Sequence, residues 1–290
     1  MFPNFIDTKP LRRAVDDSLN WVVRNWGGEL EAAAYPLLML LKAIEDLLIA
    51  TPWWLIMAIL VGISWLATRS WKLPLIVLVS LLFLGVMDLW KDAMTTMALM
   101  ISATLTAIVV SIPVGVWMSR SLRTRSILTP ALDLMQTLPS FVYLIPTVMI
   151  FGPGKIPALI ATIVYAAPPL VRLTDLGLRS VDPAVMEASR SFGTNPRQRL
   201  LGVQIPLALP TILAGINQTT MMALSMVVIA SMIGAGGLGY QVLQGIGRLE
   251  VSRGLFAGLG IVVLAIIFDR VTQSFGKQLQ GRIGLVEARS

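Results

Sequence analysis

The chemistry open to this chain is limited first by what its sequence lacks. Histidine and cysteine are both absent from its 290 residues. Without cysteine there is no disulfide or thiolate metal site, and without histidine the usual metal ligand and near-neutral proton carrier are missing. No cluster of polar residues has the pattern of a nucleophile with its base. The sequence therefore disfavours an enzyme and predicts no metal or cofactor on this chain.

Two glycine-rich stretches look like nucleotide-binding motifs but lack the context of such motifs. Residues 234–239 (GAGGLG) satisfy the dinucleotide pattern G-x-G-x-x-G, yet a long uncharged segment precedes them where a strand is required. Glu250 also follows too soon to bind a ribose. Residues 152–155 (GPGK) lack the spacing of a phosphate-binding loop, so we expect no ATP hydrolysis by this chain. We interpret 234–239 as a turn at the end of an apolar helix.

One polar segment in the second half of the chain carries clear helix-boundary signals. Asp182 followed by Pro183 is typical of a helix start. Gly193 suits the left-handed position that ends a helix, and Asn195 with Pro196 repeats the start signal. The segment predicts a compact helix–turn–helix outside the membrane. A short protruding helix of this kind is suited to docking in a groove of another protein.

The elements that hold this segment are predicted to be membrane-spanning helices. The chain is 56% hydrophobic and 13% charged, about half the charge of a typical soluble domain. Uncharged runs such as 93–119 and 200–247 are long enough to cross a bilayer, which takes roughly 20 apolar residues. We predict an all-α polytopic protein with about seven spans. They cover approximately 52–67, 73–89, 94–118, 132–151, 156–175, 208–233 and 254–273.

The distribution of positive charge predicts the orientation in the membrane. With the polar segment placed inside, the inner loops hold fourteen Lys and Arg and the outer loops hold four. Basic residues concentrate in cytoplasmic loops, so the C-terminus is predicted inside and the N-terminus outside a bacterial inner membrane. The basic residues of the N-terminal tail go against this rule. The net charge of +7 is attributed to membrane flanks, and no nucleic-acid partner is predicted.

The N-terminal region is predicted to be separate from the transmembrane domain. Residues 1–50 are interpreted as a tail followed by an amphipathic helix, and residues 51–290 as the transmembrane domain. Residues 34–50 carry Lys42, Glu45 and Asp46 among apolar residues. This pattern favours a helix lying in the membrane interface. A helix packed against the first span is the alternative, and the sequence does not choose between them.

Several polar residues fall inside the predicted spans. Asn217, Gln218 and Ser225 lie in the sixth span, and Gln136 and Thr137 lie near the start of the fourth. Polar groups in a membrane often line a pathway, but they also bond one helix to another, and both readings stay open. Charged residues near the inner helix ends are expected to form structural pairs. We expect Asp133 near Arg123 or Arg125, and Asp175 beside Arg172.

The polar segment resembles the EAA loop of ABC importer permeases. That pattern is E-A-A, three residues, G, nine residues, then I-x-L-P. Here Glu187-Ala188-Ser189 is followed by three residues, Gly193, nine residues and the run 203–206 (VQIP). The spacing matches throughout, with conservative departures at three positions. Three further stretches, 134–146, 234–239 and 261–273, are similar to permeases of the glycine betaine, proline and choline type.

This resemblance implies a fold and a division of labour. The fold would be that of a type I ABC importer permease, with a cytoplasmic coupling loop over 176–206. Two permease copies would form the pathway, two ATPase subunits would bind ATP and Mg²⁺, and an extracytoplasmic binding protein would deliver the substrate. Glu187 would pair with a basic group of the ATPase or cap the loop itself. The residues expected to serve the coupling role are Asp182, Pro183, Glu187, Ala188, Ser189, Gly193 and Pro206.

The cargo implied by the resemblance is a quaternary amine such as glycine betaine, choline, carnitine or proline betaine. Methionine-type permeases share several of these features, so another small solute is the first alternative. A secondary transporter driven by an ion gradient is the second. That class tends to show intramembrane carboxylates or broken helices in paired halves, whereas only one glycine break stands out here.

Overall fold

The computed structural model describes residues 9–68 and 70–282, which are helical and contain no β-strand. The prediction of an all-α protein is confirmed. A π-helical turn, Leu200–Gln204, leads into α10, and a 3-10 turn, Ser231–Ile233, follows it. The helices in chain order are α1 (Lys9–Ala50), α2 (Trp53–Thr68), α3 (Lys72–Val86), α4 (Trp90–Arg120), α5 (Leu122–Thr137), α6 (Ser140–Phe151), α7 (Lys155–Arg179), α8 (Pro183–Ser191), α9 (Pro196–Arg199), α10 (Ile205–Ala230), α11 (Leu238–Gly247) and α12 (Val251–Arg282).

The seven predicted spans all fall on helices. Within the described residues, four helical runs are long and apolar enough to cross a membrane alone: Trp90–Arg120, Lys155–Arg179, Pro196–Ile233 and Val251–Ser274. Two bent helix pairs, α1 with α2 and α5 with α6, bring the number to six if each pair counts as one span. Helix α3 is a shorter apolar helix at the position of the second predicted span.

The span predicted over 132–151 is not one continuous helix. It is divided between α5 and α6, whose axes differ by 99°. The break lies at Leu138, which has extended backbone angles (φ −67°, ψ 134°), and at Pro139. Proline cannot donate to the helical ladder, and it disfavours helical angles in the residue before it. The proline therefore interrupts a segment that hydropathy alone reads as a single span.

The N-terminal helix is longer than the sequence predicts and packs on the body of the protein. Helix α1 begins at Lys9, inside the stretch interpreted as a tail, and turns by 106° into α2. Its second half buries Leu41 and Glu45 and packs against α4, α6 and α7. The helix therefore packs against the central bundle, whereas the sequence alternative placed it against the first span.

Helices α4, α7 and α10 form the closely packed centre of the bundle. Small residues permit this approach: a Cβ atom placed on Gly115 of α4 would lie 2.6 Å from Cβ of Thr174 on α7. Two hydrogen bonds join the same helices. Ser111 donates to the carbonyl of Ala167 at 3.3 Å, and Thr219 donates to the carbonyl of Ala166 at 2.9 Å. A second apolar cluster packs α2, α3 and α12 against α4.

Candidate coupling loop and translocation face

The polar segment after α7 folds into the capped helix that the sequence predicts. Asp182 is the N-cap of α8, and its Oδ1 accepts a hydrogen bond from the backbone N–H of Ala184 at 2.8 Å. Pro183 occupies the first helical turn, where its missing N–H leaves no bond unmade. The helix start is therefore built from local interactions that Asp182 and Pro183 supply.

Gly193 ends α8 in the left-handed conformation, with φ of +74°. Its N–H donates to the carbonyl of Arg190 at 2.9 Å, and the N–H of Thr194 donates to the carbonyl of Ser189 at 3.3 Å. These two bonds form a Schellman motif, which satisfies carbonyls left free at a helix end. The threonine hydroxyl also donates to the Ser189 carbonyl, at 2.7 Å. The predicted role of Gly193 in the turn is confirmed.

The second arm of the segment is continuous with a membrane-spanning helix. Asn195 and Gln198 form a reciprocal capping box at the start of α9. The chain then passes through the π-helical turn into α10, in whose first turn Pro206 lies. The π-helical turn ends two residues before the proline, whose missing N–H interrupts the α-helical ladder. The loop is therefore continuous with a 38-residue helical run, Pro196–Ile233.

The predicted coupling residues divide between the exposed surface of α8 and its packed base. Glu187 and Ala188 are exposed, whereas Ser189 is buried and donates to the carbonyl of Met186 at 3.0 Å. Among the described residues, the Glu187 carboxylate has no hydrogen-bond or ion-pair partner. The sequence alternative in which Glu187 caps its own loop is therefore not observed.

Phe192 is a residue of this surface that sequence reasoning missed. It is 87% exposed and lies beside Val185 and Ala188, which are also exposed. The spacing 185, 188, 192 places the three side chains on one face of the helical turn. That spacing is visible in the sequence, but it becomes informative only once the helix is known to protrude. An exposed apolar stripe on a short helix is typical of a surface that docks on another protein.

Arginines make polar contacts at the helix ends near the loop. Arg120, the last residue of α4, donates to the carbonyl of Pro196 at 3.3 Å. Asp175 on α7 is buried and accepts two hydrogen bonds from Arg179, at 2.9 and 2.8 Å. Arg125 of α5 approaches the same carboxylate at 3.7 Å. These contacts join the end of α4 to the loop and the start of α5 to the end of α7.

The ion pairs expected from the sequence at these helix ends were wrong. Asp133 pairs with Arg172, not with Arg123 or Arg125. Asp175 pairs with Arg179 and Arg125, not with Arg172. The Asp133–Arg172 and Arg125–Asp175 contacts depend on how α5 packs beside α7, which the sequence does not show, whereas Arg179 lies one helical turn from Asp175 within α7.

An exposed face of α10 carries two of the predicted pathway residues. Gln218 and Ser225 are exposed together with Ala214 and Met221, at the spacing of one helix face. The Ser225 hydroxyl donates to the carbonyl of Met221 at 3.0 Å, which leaves its lone pairs toward the surface. Asn217 lies at the border of this face, and its Oδ1 is buried with no hydrogen-bond partner among the described residues.

The other predicted pathway residues lie at the break in the fourth span. Gln136 and Thr137 are exposed at the end of α5, which packs against α4 and α7. The helix after the break, α6, exposes an apolar stripe of Phe141, Ile145 and Met149. This stripe lines one side of an apolar groove that Met232, beyond α10, closes on the other side.

The glycine-rich turn is observed where the sequence predicts it, at the end of α10 opposite the coupling loop. Gly234, Gly236 and Gly237 all have positive φ values. A Cβ atom on Gly237 would lie only 2.5 Å from Oγ1 of Thr96, which accepts the N–H of Leu238 at 2.9 Å. The turn thus packs directly on the start of α4 and directs the chain into α11. This geometry confirms the predicted turn at the end of an apolar helix.

A bundle of apolar helices with a capped loop between two of its spans is the architecture expected of the membrane-spanning subunit of an ABC transporter. The chain belongs to the family described as the inner membrane component of binding-protein-dependent transport systems, which it matches over residues 107–281. The family resemblance carried by the EAA-like loop is confirmed. The family match begins inside α4, so α1, α2 and α3 lie outside it.

Curated relatives of the chain are permeases for betaines. It is 46% identical over 273 residues to the glycine betaine/proline betaine permease ProW of Escherichia coli K12, covering 94% of this chain and 77% of that protein. It is 46% identical over 229 residues to the glycine betaine/carnitine permease GbuB of Listeria monocytogenes, covering 78% and 81%. It is 39% identical over 274 residues to the glycine betaine permease OpuAB of Bacillus subtilis, covering 94% and 96%.

Solved structures give the fold. An inward-facing MetNI methionine ABC transporter aligns with a TM-score of 0.58 at 22% identity, covering 64% of this chain and 93% of the solved chain. A second crystal form aligns with a TM-score of 0.59, covering 66% and 95%. The chain therefore has the type I ABC importer permease fold, and about a third of it has no counterpart in those structures. It is a multi-pass membrane protein of the inner membrane.

Proposed function

We propose that this chain is the permease through which a bacterial ABC importer moves glycine betaine or a related quaternary amine into the cell. The cargo is supported by three relatives, 39 to 46% identical, that are named as betaine permeases. The observation that carries the transport role is the capped α8 loop, which presents an exposed docking surface at the end of a membrane-spanning helix. Choline, carnitine and proline betaine belong to the same chemical class and are the other cargoes to test.

The coupling loop receives the motion of a separate ATPase. Val185, Ala188 and Phe192 enter a groove of that subunit, and Glu187 pairs with one of its basic groups. Asp182, Pro183, Ser189 and Gly193 keep α8 in shape, while Pro206 lies where the loop joins α10. ATP and Mg²⁺ bind on the ATPase pair. When that pair closes, it draws two coupling loops together and the spans turn from inward-facing to outward-facing.

The pathway forms between two copies of the chain. The exposed polar face of α10 is supported as its lining, because Gln218 and Ser225 offer hydrogen bonds without a fixed charge that would bind the charged groups of the substrate too tightly. Gln136, Thr137 and Asn217 border that face or lie at the break beside it. The loop end of the bundle faces the cytoplasm, and the glycine-rich turn faces the binding protein outside. In that orientation α1 begins outside and α12 ends inside.

Reconstitution tests the proposal. The chain is co-purified with the ATPase encoded beside it, placed in proteoliposomes, and supplied with the neighbouring binding protein and radiolabelled glycine betaine. We expect ATP hydrolysis to rise with the loaded binding protein and label to accumulate only with ATP. Stimulation by methionine and its binding protein alone would reassign the cargo. Uptake that follows an ion gradient without ATP would overturn the importer assignment.

A further inference from the structure

An ion pair between Glu45 and Lys155 joins the second half of α1 to the bundle, beside its apolar contacts. Oε2 of Glu45 lies 2.5 Å from Nζ of Lys155, and its Oε1 accepts a hydrogen bond from the hydroxyl of Thr95 at 3.0 Å. The Glu45 side chain is 10% exposed and that of Lys155 is 33% exposed. Both carboxylate oxygens are therefore engaged, by two residues that belong to different helices, α4 and α7.

The pair offsets an unfavourable position of the lysine. Lys155 is the first residue of α7, and the N-terminus of a helix carries partial positive charge that repels a cation. A lysine at this position is stabilised by a carboxylate that reaches it from another element. Glu45 supplies that carboxylate from α1, a helix that lies outside the family-matched region of the chain.

The ion pair lies at the rim of the bundle opposite the coupling loop. Helix α7 has 25 residues and so separates Lys155 from the loop by roughly 37 Å. The turn before Lys155 contains Gly154, whose backbone N would lie 3.6 Å from a Cβ atom on Gly234. Thr95, on α4, adjoins the glycine-rich turn as well: its Cγ2 would be 3.8 Å from a Cβ atom on Gly236. The Glu45 contacts therefore reach both segments that adjoin the glycine-rich turn.

We propose that Glu45 is a positioning residue for transport: through Lys155 and Thr95 it holds the turn at 152–155 against the glycine-rich turn at 234–237. Helix α1 therefore positions the two turns of the outer rim and does not only attach the chain to the membrane. This rests on the proposed function, in which the rim receives the loaded binding protein. When the two turns are displaced, the permease binds the loaded binding protein more weakly. The contact with the ATPase at the other end of the bundle does not change.

The test compares variants of the full reconstituted complex. In Glu45→Gln and Lys155→Met we expect the concentration of glycine betaine-loaded binding protein that half-saturates ATP hydrolysis to rise at least about fivefold, the low end of coupling between linked sites. Basal hydrolysis and co-purification with the ATPase stay at the wild-type level. Asp46→Asn, at an exposed neighbouring carboxylate on the same helix, is the matched control and leaves the half-saturating concentration unchanged.

The charge-swapped double variant Glu45→Lys with Lys155→Glu separates positioning from general damage. It places an anion at the start of α7, which the helix dipole favours, and it restores the pair with opposite polarity. We expect the half-saturating concentration of loaded binding protein to return to within about twofold of the wild-type value. That difference is smaller than the roughly fivefold change at the low end of coupling between linked sites. Single variants that match wild type, or a swap that recovers nothing, would overturn the proposal. Failure of the wild-type complex itself would count against the proposed function instead.

Discussion

The hydroxyl of Tyr143 donates a hydrogen bond to the backbone carbonyl of Met135, across the break between α5 and α6. In a continuous helix that carbonyl would accept the N–H of residue 139, but Pro139 has none. The tyrosine thus supplies the donor that the proline removes. Its ring is buried and packs edge-on against Tyr165 of α7, with ring centroids 5.8 Å apart.

Replacing Tyr143 by Phe tests this support of the bent span. The ring and its packing remain, and only the donor to the Met135 carbonyl is lost. We expect a loss of about 0.5–1.5 kcal/mol, the usual net value of one hydrogen bond, seen as a lower thermal midpoint of the purified complex. Tyr165→Phe is the control, because the Tyr165 hydroxyl bonds no described residue. An equal decrease of the thermal midpoint in both variants would contradict a stabilising role of the Tyr143 hydroxyl.

Gly193→Ala tests the turn of the coupling loop. A Cβ atom at Gly193 meets nothing within 4 Å, so the cost comes from the positive φ, roughly 1 kcal/mol for a non-glycine residue. We expect less ATPase retained when the complex is washed and purified. Gly202→Ala, which also meets open space but has no positive φ, retains the wild-type amount. Equal retention by both variants would mean that the turn does not shape the docking surface.

Glu187→Lys tests the charge of the docking surface. The exposed carboxylate has no partner among the described residues, so reversing it leaves the permease fold intact. We expect ATP hydrolysis to continue while uptake falls at least about tenfold, because repulsion at the contact uncouples the subunits. Glu31→Lys makes the same reversal on an exposed part of α1 and keeps uptake. Wild-type uptake by the Glu187 variant would remove this residue from the coupling role.

Phe192→Ala tests the apolar part of the same surface. A large side chain that acts as a binding hot spot costs about 2 kcal/mol or more when truncated. We expect the ATPase to dissociate faster from this variant in a surface-binding measurement. Ile127→Ala, which truncates a side chain 72% exposed on α5, serves as the reference. Identical dissociation rates would show that Phe192 stays outside the interface.

Ser225→Cys tests the translocation face, and the absence of native cysteine makes the label specific within this chain. Ser225 is exposed on the face that also carries Gln218, whereas Thr219 is buried against α7. We expect a water-soluble thiol reagent to modify the Ser225 variant and block uptake, and added substrate to slow the modification. Thr219→Cys is not modified. A Ser225 variant that stays unreactive in the active complex would place this face in lipid.

The local structure of the coupling loop was predictable because it is built within a few residues. The Asp182 side chain bonds a backbone N–H two positions away, and the bonds that Gly193 permits span five positions at most. Caps and turns of this kind depend on side-chain length and backbone sterics, which residue types specify directly. The membrane spans were predictable for a similar reason, since hydropathy acts on each segment separately.

The contacts between distant helices were decided only by the tertiary structure. Glu45 and Lys155 are 110 positions apart, and Asp133 and Arg172 are 39 apart. The same is true of exposure: neighbouring Gln218 and Thr219 differ only in which side of α10 faces α7. A charged or polar residue has many sterically allowed partners along a chain. The partner it meets depends on how rigid helices pack, because their ridges and small residues set the relative rotation.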